Sequence, residues 1–112
     1  MKTKNDALKI LDEVYRDCSE IFPCGIQDAY LYGSYARGDF DDESDVDIFL
    51  TVDMDWEAIT RYRRKVNNSA SDLSMKYDVL VSVNVNPSEL FHRIPDYPYF
   101  RNIRSEGIRY GA

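Results

Sequence analysis

Histidine is almost missing from this chain: His92 is the only one, and the two cysteines, Cys18 and Cys24, are not spaced as Cys-x-x-Cys. A zinc site built from nitrogen and sulfur ligands is therefore not available. His92 alone reads as a packed or surface residue rather than a catalyst. No apolar run approaches the roughly 20 residues that cross a bilayer, so no membrane partner is expected. The opening residues, Met1-Lys2-Thr3-Lys4-Asn5-Asp6, lead straight into a charged amphipathic pattern without a secretory signal, which sets the expectation of a cytoplasmic protein with reduced thiols. Basic residues are in the minority. Against 20 Asp and Glu stand 14 Lys and Arg, a net charge of -6, and so acidic a surface argues against an extended nucleic-acid interface.

What the chain has in quantity is apolar and aromatic side chain, 44% and 13% of its 112 residues. That composition suits one globular domain spanning 1–112, with room for one core and not two. Residues 5 to 22 carry Leu8, Leu11, Val14, Tyr15, Cys18, Ile21 and Phe22 at helical spacing, with Asn5 or Asp6 as the cap. Pro23 and Gly25 end that helix, and Ala29-Tyr30-Leu31-Tyr32 reads as a strand. A second strand covers Ser44 to Val52. Asp53 or Asp55 caps a second long helix, in which Trp56, Ile59, Tyr62, Val66, Ala70 and Leu73 form the apolar stripe to about residue 74, weakened at Asn67-Asn68-Ser69. Arg61, Arg63, Arg64 and Lys65 lie off that stripe, as a solvated face or a docking surface.

Tyr77 to Val85 is expected as a third strand, with the valines on one side and Asp78, Leu80 and Ser82 on the other. Asn86-Pro87-Ser88-Glu89 opens a short helix to about Arg93, and a last helix runs from Pro98 to Glu106 with Phe100 and Ile103 inward and Gly107 as its stop.

Two segments carry chemistry. Gly33-Ser34-Tyr35-Ala36-Arg37-Gly38 is a turn whose glycine lets the backbone approach a triphosphate, whose serine donates from its hydroxyl, and whose next residues start a short helix with free amides. Arg37 either contacts phosphate or locks the turn onto a nearby acid. The acids of the 38–43 turn read as solvated. After six intervening residues come Asp45 and Asp47, which on a strand point to the same face. Hard magnesium ions prefer such oxygen ligands, and two-ion sites share carboxylates between the attacking and leaving oxygens. Asp78, at the start of the next strand, is the candidate third carboxylate and general base.

Gly33-Ser34-x-Ala36-Arg37-Gly38 followed by Ser44-Asp45-x-Asp47-Ile48 resembles the signature of the DNA polymerase β-like nucleotidyltransferase superfamily, in its minimal nucleotidyltransferase (MNT) branch. The element order and the closing Asn102-Ile103-x-x-Glu106-Gly107 extend the resemblance over nearly the whole chain. It implies an α+β (α/β) nucleotidyltransferase fold, a small mixed sheet with helices packed on one face. It further implies Asp45, Asp47 and Asp78 as catalytic metal ligands for two Mg2+ ions, and Gly33 and Ser34 binding ATP. Members of the branch are often antitoxins that transfer AMP from ATP to a tyrosine of a HEPN ribonuclease toxin encoded nearby, and that is the implied function. The alternatives are a small-molecule, aminoglycoside-type nucleotidyltransferase, or a non-catalytic antitoxin that acts by binding alone. With room only for a catalytic core, the chain is expected to leave the acceptor to a partner protein or to another copy of itself in a homo-oligomer.

Overall fold

The computed structural model describes residues 2–111; Met1 and Ala112, the ends of the expected domain, lie outside the described residues. The first helix, α1, spans Lys4–Ile21. Its cap is Thr3, not Asn5 or Asp6: Thr3 Oγ1 accepts from the Asp6 amide at 3.2 Å while the Thr3 amide donates to Asp6 Oδ2 at 2.9 Å. Asp6 is thus the returning half of a capping box. Thr3→Ala is expected to lower unfolding stability by about 1 kcal/mol. A urea midpoint unchanged from wild type would show that the cap holds nothing.

The chain continues through β1 (Asp28–Tyr32), α2 (Ser34–Arg37), β2 (Val46–Val52), α3 (Trp56–Tyr77), β3 (Val81–Pro87), α4 (Ser88–Arg93), α5 (Pro98–Glu106) and β4 (Ile108–Arg109). The strands form one sheet in the order β3-β2-β1-β4. β1 is antiparallel to β2 and β4, whereas β2 and β3 are parallel, as they must be when a long helix carries the chain from one to the other. β4 has no counterpart in the sequence reading. Its two residues form no pattern of their own and exist as a strand only through pairing with Tyr30 and Leu31.

Alternation along β2 divides the molecule. Val46, Ile48, Leu50 and Val52 are fully buried and join α1 and α3 in the larger core. Phe49, equally buried, points the other way and gathers Phe91, Phe100 and Ile103 of α4 and α5. The long helices therefore share one face, as the resemblance implies, and the short C-terminal helices cover part of the opposite one, because Phe49 must also be shielded from water. Phe100 and Ile103 face inward as expected.

In α3 the stripe holds from Ile59 to Leu73, but Trp56 is 48% exposed and belongs to no core. The helix passes through Asn67-Asn68-Ser69 unbroken; Val66 and Ala70 are buried on either side, and Ser69 Oγ donates to Asp17 at 2.8 Å. It also runs past residue 74 to Tyr77, where the Tyr77 hydroxyl bonds to Glu13 and Lys76 Nζ lies 2.6 Å from the same carboxylate. These ties to α1 override the strand pattern of the sequence there, and β3 starts four residues later than expected. The alternation within it survives, with Val81 buried and Asn84 exposed.

Cys18 is buried in the larger core, and burial pushes its thiol up to about 12; Cys24, in the loop after α1, is exposed. Among the described residues no helix is long and apolar enough to cross a membrane.

Candidate active site

The site is built where β1 leaves the sheet and β2 enters it. β1 ends at Tyr32, and Gly33 turns the chain with φ +74° and ψ -156°, a backbone conformation in which side chains are rarely found. Its carbonyl accepts from the amides of Ala36 and Arg37, each at 3.1 Å, and the Gly38 amide closes on Ser34 O at 2.9 Å, giving the one-turn helix α2. Tyr35 anchors that turn. Its ring is buried and stacks on Phe40 with centroids 4.3 Å apart, so the lone aromatic of the acidic loop holds that loop against the glycine turn. In the same loop Asp41 accepts from the Glu43 amide and from Ser44 Oγ, at 2.9 and 3.2 Å, and this shapes the approach to Asp45.

Asp47 pairs with Tyr32 on one side and Ser82 on the other, so its side chain stands on the face opposite the larger core. Its carboxylate tucks beneath Gly33: a Cβ added there would overlap Asp47 Oδ2 and lie 3.3 Å from Cγ. The glycine is required for that approach as well as for its own turn. Burial raises the Asp47 pKa first, the Asp45 charge raises it further, and Arg37 offsets part of the rise. No hydrogen bond contributes. A half-buried carboxylate with no donor beside a second carboxylate has the chemistry of a cation-binding pair, since a positive charge there would offset both burial and repulsion. Asp45 is exposed at the mouth of β2.

Arg37 shows the second of its two expected alternatives. Its Nε lies 3.2 Å from Asp39 Oδ2 and its Nη1 3.7 Å from Glu106 Oε2. The guanidinium thus ties the turn to the end of α5. Nothing in the sequence marks Glu106 as the partner of Arg37, since the two are distant along the chain. Gly107 has its own reason: a Cβ there would overlap Ile103 O and come within 3.2 Å of Leu31 O, so only glycine lets α5 end against β1.

Asp78 requires a correction of place. It is not on a strand but caps α3 in the left-handed conformation, φ 53°, with its amide donating to Ser74 O. Aspartate is among the few residues that tolerate this conformation, which accounts for the acid without invoking chemistry. Asp78 and Asp45 line one open groove together with Asp42, Glu43 and Leu80, but Asp47 does not line it. No three His, Cys, Asp or Glu side chains cluster as a metal site among the described residues. Asp45 and Asp47 are the oxygen donors paired on this face, and Asp78, which shares the groove with Asp45, does not complete a three-carboxylate cluster with them.

The sequence reading missed Tyr99. From α5 it lies in the second core cluster with Tyr32, its hydroxyl donating to that of Tyr32 at 3.5 Å, while Asn84 Nδ2 donates to the same oxygen at 2.6 Å. Burial, then the bond to Tyr32, holds the Tyr99 hydroxyl well above the ordinary phenol range. Its only signal in the sequence is an aromatic residue beside Phe100, which does not disclose the partner. His92 stays away from this end, with Nε2 2.9 Å from Asp28 Oδ2.

This arrangement has counterparts. A relative from Methanocaldococcus jannaschii named "Putative protein adenylyltransferase MJ0141" is 40% identical over 78 residues, covering 69% of this chain and 76% of its own. A structure from Sulfolobus solfataricus named "a putative nucleotidyltransferase" aligns with a TM-score of 0.64 at 21% identity, over 96% of this chain and 81% of that one. A toxin–antitoxin structure with AMP-PNP aligns at 0.54 and 21%, over 96% and 72%; at such identities both establish the fold. The profile of the nucleotidyltransferase domain matches residues 11–110, a span that contains the glycine turn, both carboxylates and all four strands: the chain belongs to the nucleotidyltransferase domain family, and it is a nucleotidyltransferase.

Proposed function

We propose that this nucleotidyltransferase transfers AMP from ATP to a tyrosine hydroxyl of a partner protein, a HEPN ribonuclease toxin, and so acts as its antitoxin. The observation that carries the reading is the half-buried Asp47 carboxylate, without a donor, under the glycine turn. Asp45 and Asp47 would hold Mg2+, and Gly33 and Ser34 the triphosphate. Magnesium, when bound, supplies positive charge to the phosphate oxygens and to the leaving pyrophosphate. The acceptor oxygen forms a bond to the α-phosphorus, the bond from that phosphorus to the bridging oxygen of pyrophosphate breaks, and the phenolic proton is lost to water. Asp78, which shares a groove with Asp45 but not with Asp47, is given no step here. The M. jannaschii relative's name as a protein adenylyltransferase and the toxin–antitoxin neighbour with AMP-PNP support the choice of nucleotide and of a protein acceptor.

The test is to incubate the chain with the protein encoded beside it, ATP and Mg2+, and to weigh that protein by intact mass spectrometry. One added AMP is expected, and none with Asp45→Asn. If the neighbour stays unmodified yet is still neutralised by Asp45→Asn, the chain acts by binding alone.

A further inference from the structure

We infer that this chain holds one divalent cation per bound nucleotide, not two, because Ser82 stands where a third carboxylate would complete the second ion's site; the inference rests on the nucleotide-binding reading above. The register fixes the place. Asp47 of β2 pairs directly with Ser82 of the parallel strand β3 and with Tyr32 of β1, and paired residues point to the same face. Neighbouring strands lie about 4.8 Å apart, so position 82 is the place on β3 from which a side chain can share an ion with Asp47. It carries a neutral hydroxyl.

The groups around it offer no substitute. Leu80, just before the strand, is aliphatic and 60% exposed. Asn84, one alternation later, already donates to Tyr32. Asp78 is outside the strand, fixed by its left-handed cap and the bond to Ser74. Two ions about 3.5–4 Å apart need carboxylates placed between them and on either side. Asp45 and Asp47 provide one such pair. With triphosphate oxygens and water they fill the coordination of one magnesium; a second would have water for nearly all its protein-side ligands.

The count can be read directly. The purified chain is saturated with a non-hydrolysable ATP analogue, nucleotide uptake is measured by equilibrium dialysis, and Mn2+ is titrated while EPR reports the free ion. One Mn2+ per bound nucleotide is expected for the wild type and two for Ser82→Asp, which restores a carboxylate opposite Asp47. Asp78→Asn, which keeps a residue suited to the left-handed position and so folds, is expected to leave the count at one. Two ions in the wild type, an unchanged count in a folded Ser82→Asp, or an ion lost in Asp78→Asn would overturn the inference while the nucleotide reading stands. Failure of the analogue to bind at all would overturn both.

Discussion

Asp47→Asn is expected to reduce nucleotidyl transfer by about 10³-fold or more, equivalent to roughly 4 kcal/mol of transition-state stabilisation, and at the same time to make the folded chain more stable at neutral pH. The two effects have one cause. Asp47 is half-buried, faces Asp45 and has no hydrogen-bond donor, so its pKa is raised above the usual 3.8. A carboxyl whose pKa is higher folded than unfolded binds its proton more tightly in the folded state. Stability is therefore greatest while the group is protonated, and it falls as pH rises from the ordinary carboxylate value through the raised one. Asparagine fills the same space without the charge and abolishes that loss. Melting curves of the two proteins should coincide at the acid end and separate as pH climbs through this window, the variant staying higher. Activity is scored by release of pyrophosphate in the presence of the acceptor protein. Equal melting temperatures at every pH, or retained transfer, would remove Asp47 from this role. A destabilising charge kept in place is the expected mark of a group retained for binding rather than for folding.

Gly33→Ala is expected to damage both fold and activity through two separable effects. The backbone there, φ +74° and ψ -156°, lies in a region that is essentially glycine's own, and forcing another residue into it costs about 1–3 kcal/mol. The added Cβ also collides with Asp47 Oδ2, so the carboxylate must swing away or the turn must lift. A displacement of about 1 Å at reacting groups costs on the order of 10² in rate. Gly25→Ala separates the two effects, since Gly25 also has positive φ, +73°, but nothing lies within 4 Å of its added Cβ. In urea both variants should unfold earlier than wild type, while only Gly33→Ala should lose nucleotidyl transfer by roughly a hundredfold. Equal activity in the two variants would mean that the contact with Asp47 is irrelevant.

The sequence made the glycine turn and the Asp45–Asp47 pair legible because both are short-range features. A strand with period two would present residues 45 and 47 on one side; β2 begins at Val46, two residues later than the expected Ser44, so Asp45 sits at its mouth and only Asp47 within it. The glycine turn is likewise dictated by the residues inside it. Asp78 could not be placed by the same logic. Whether residues 75 to 78 continue a helix or begin a strand is decided by Glu13, which binds Lys76 and Tyr77 from 63 and 64 residues away in the sequence. The cap at Thr3 is fixed by its reciprocal bonds with Asp6, and polar residues following one another at the start of a helix do not by themselves show which one caps it. Glu106, Tyr99 and Tyr35 were visible as residues but not as partners. Arg37 meets Glu106 across most of the chain, and no local spacing encodes that meeting. The apolar stripe places Trp56 in the core, yet as the first residue of α3 it lies at the helix end and stays about half exposed.

The contrast between the two cysteines bears on how the molecule can be handled. A buried thiol pushed to about 12 is almost wholly protonated at neutral pH, and the thiolate is the reactive species. Maleimides and mild oxidants should therefore find Cys24 and leave Cys18 untouched. Cys24 lies in the loop that leads to Gln27, whose amide donates to Thr51 O at 2.9 Å, at the end of β2 remote from Asp47. A fluorophore or spin label attached there would be a single, uniquely placed reporter, able to follow a partner's arrival from a position clear of the carboxylates.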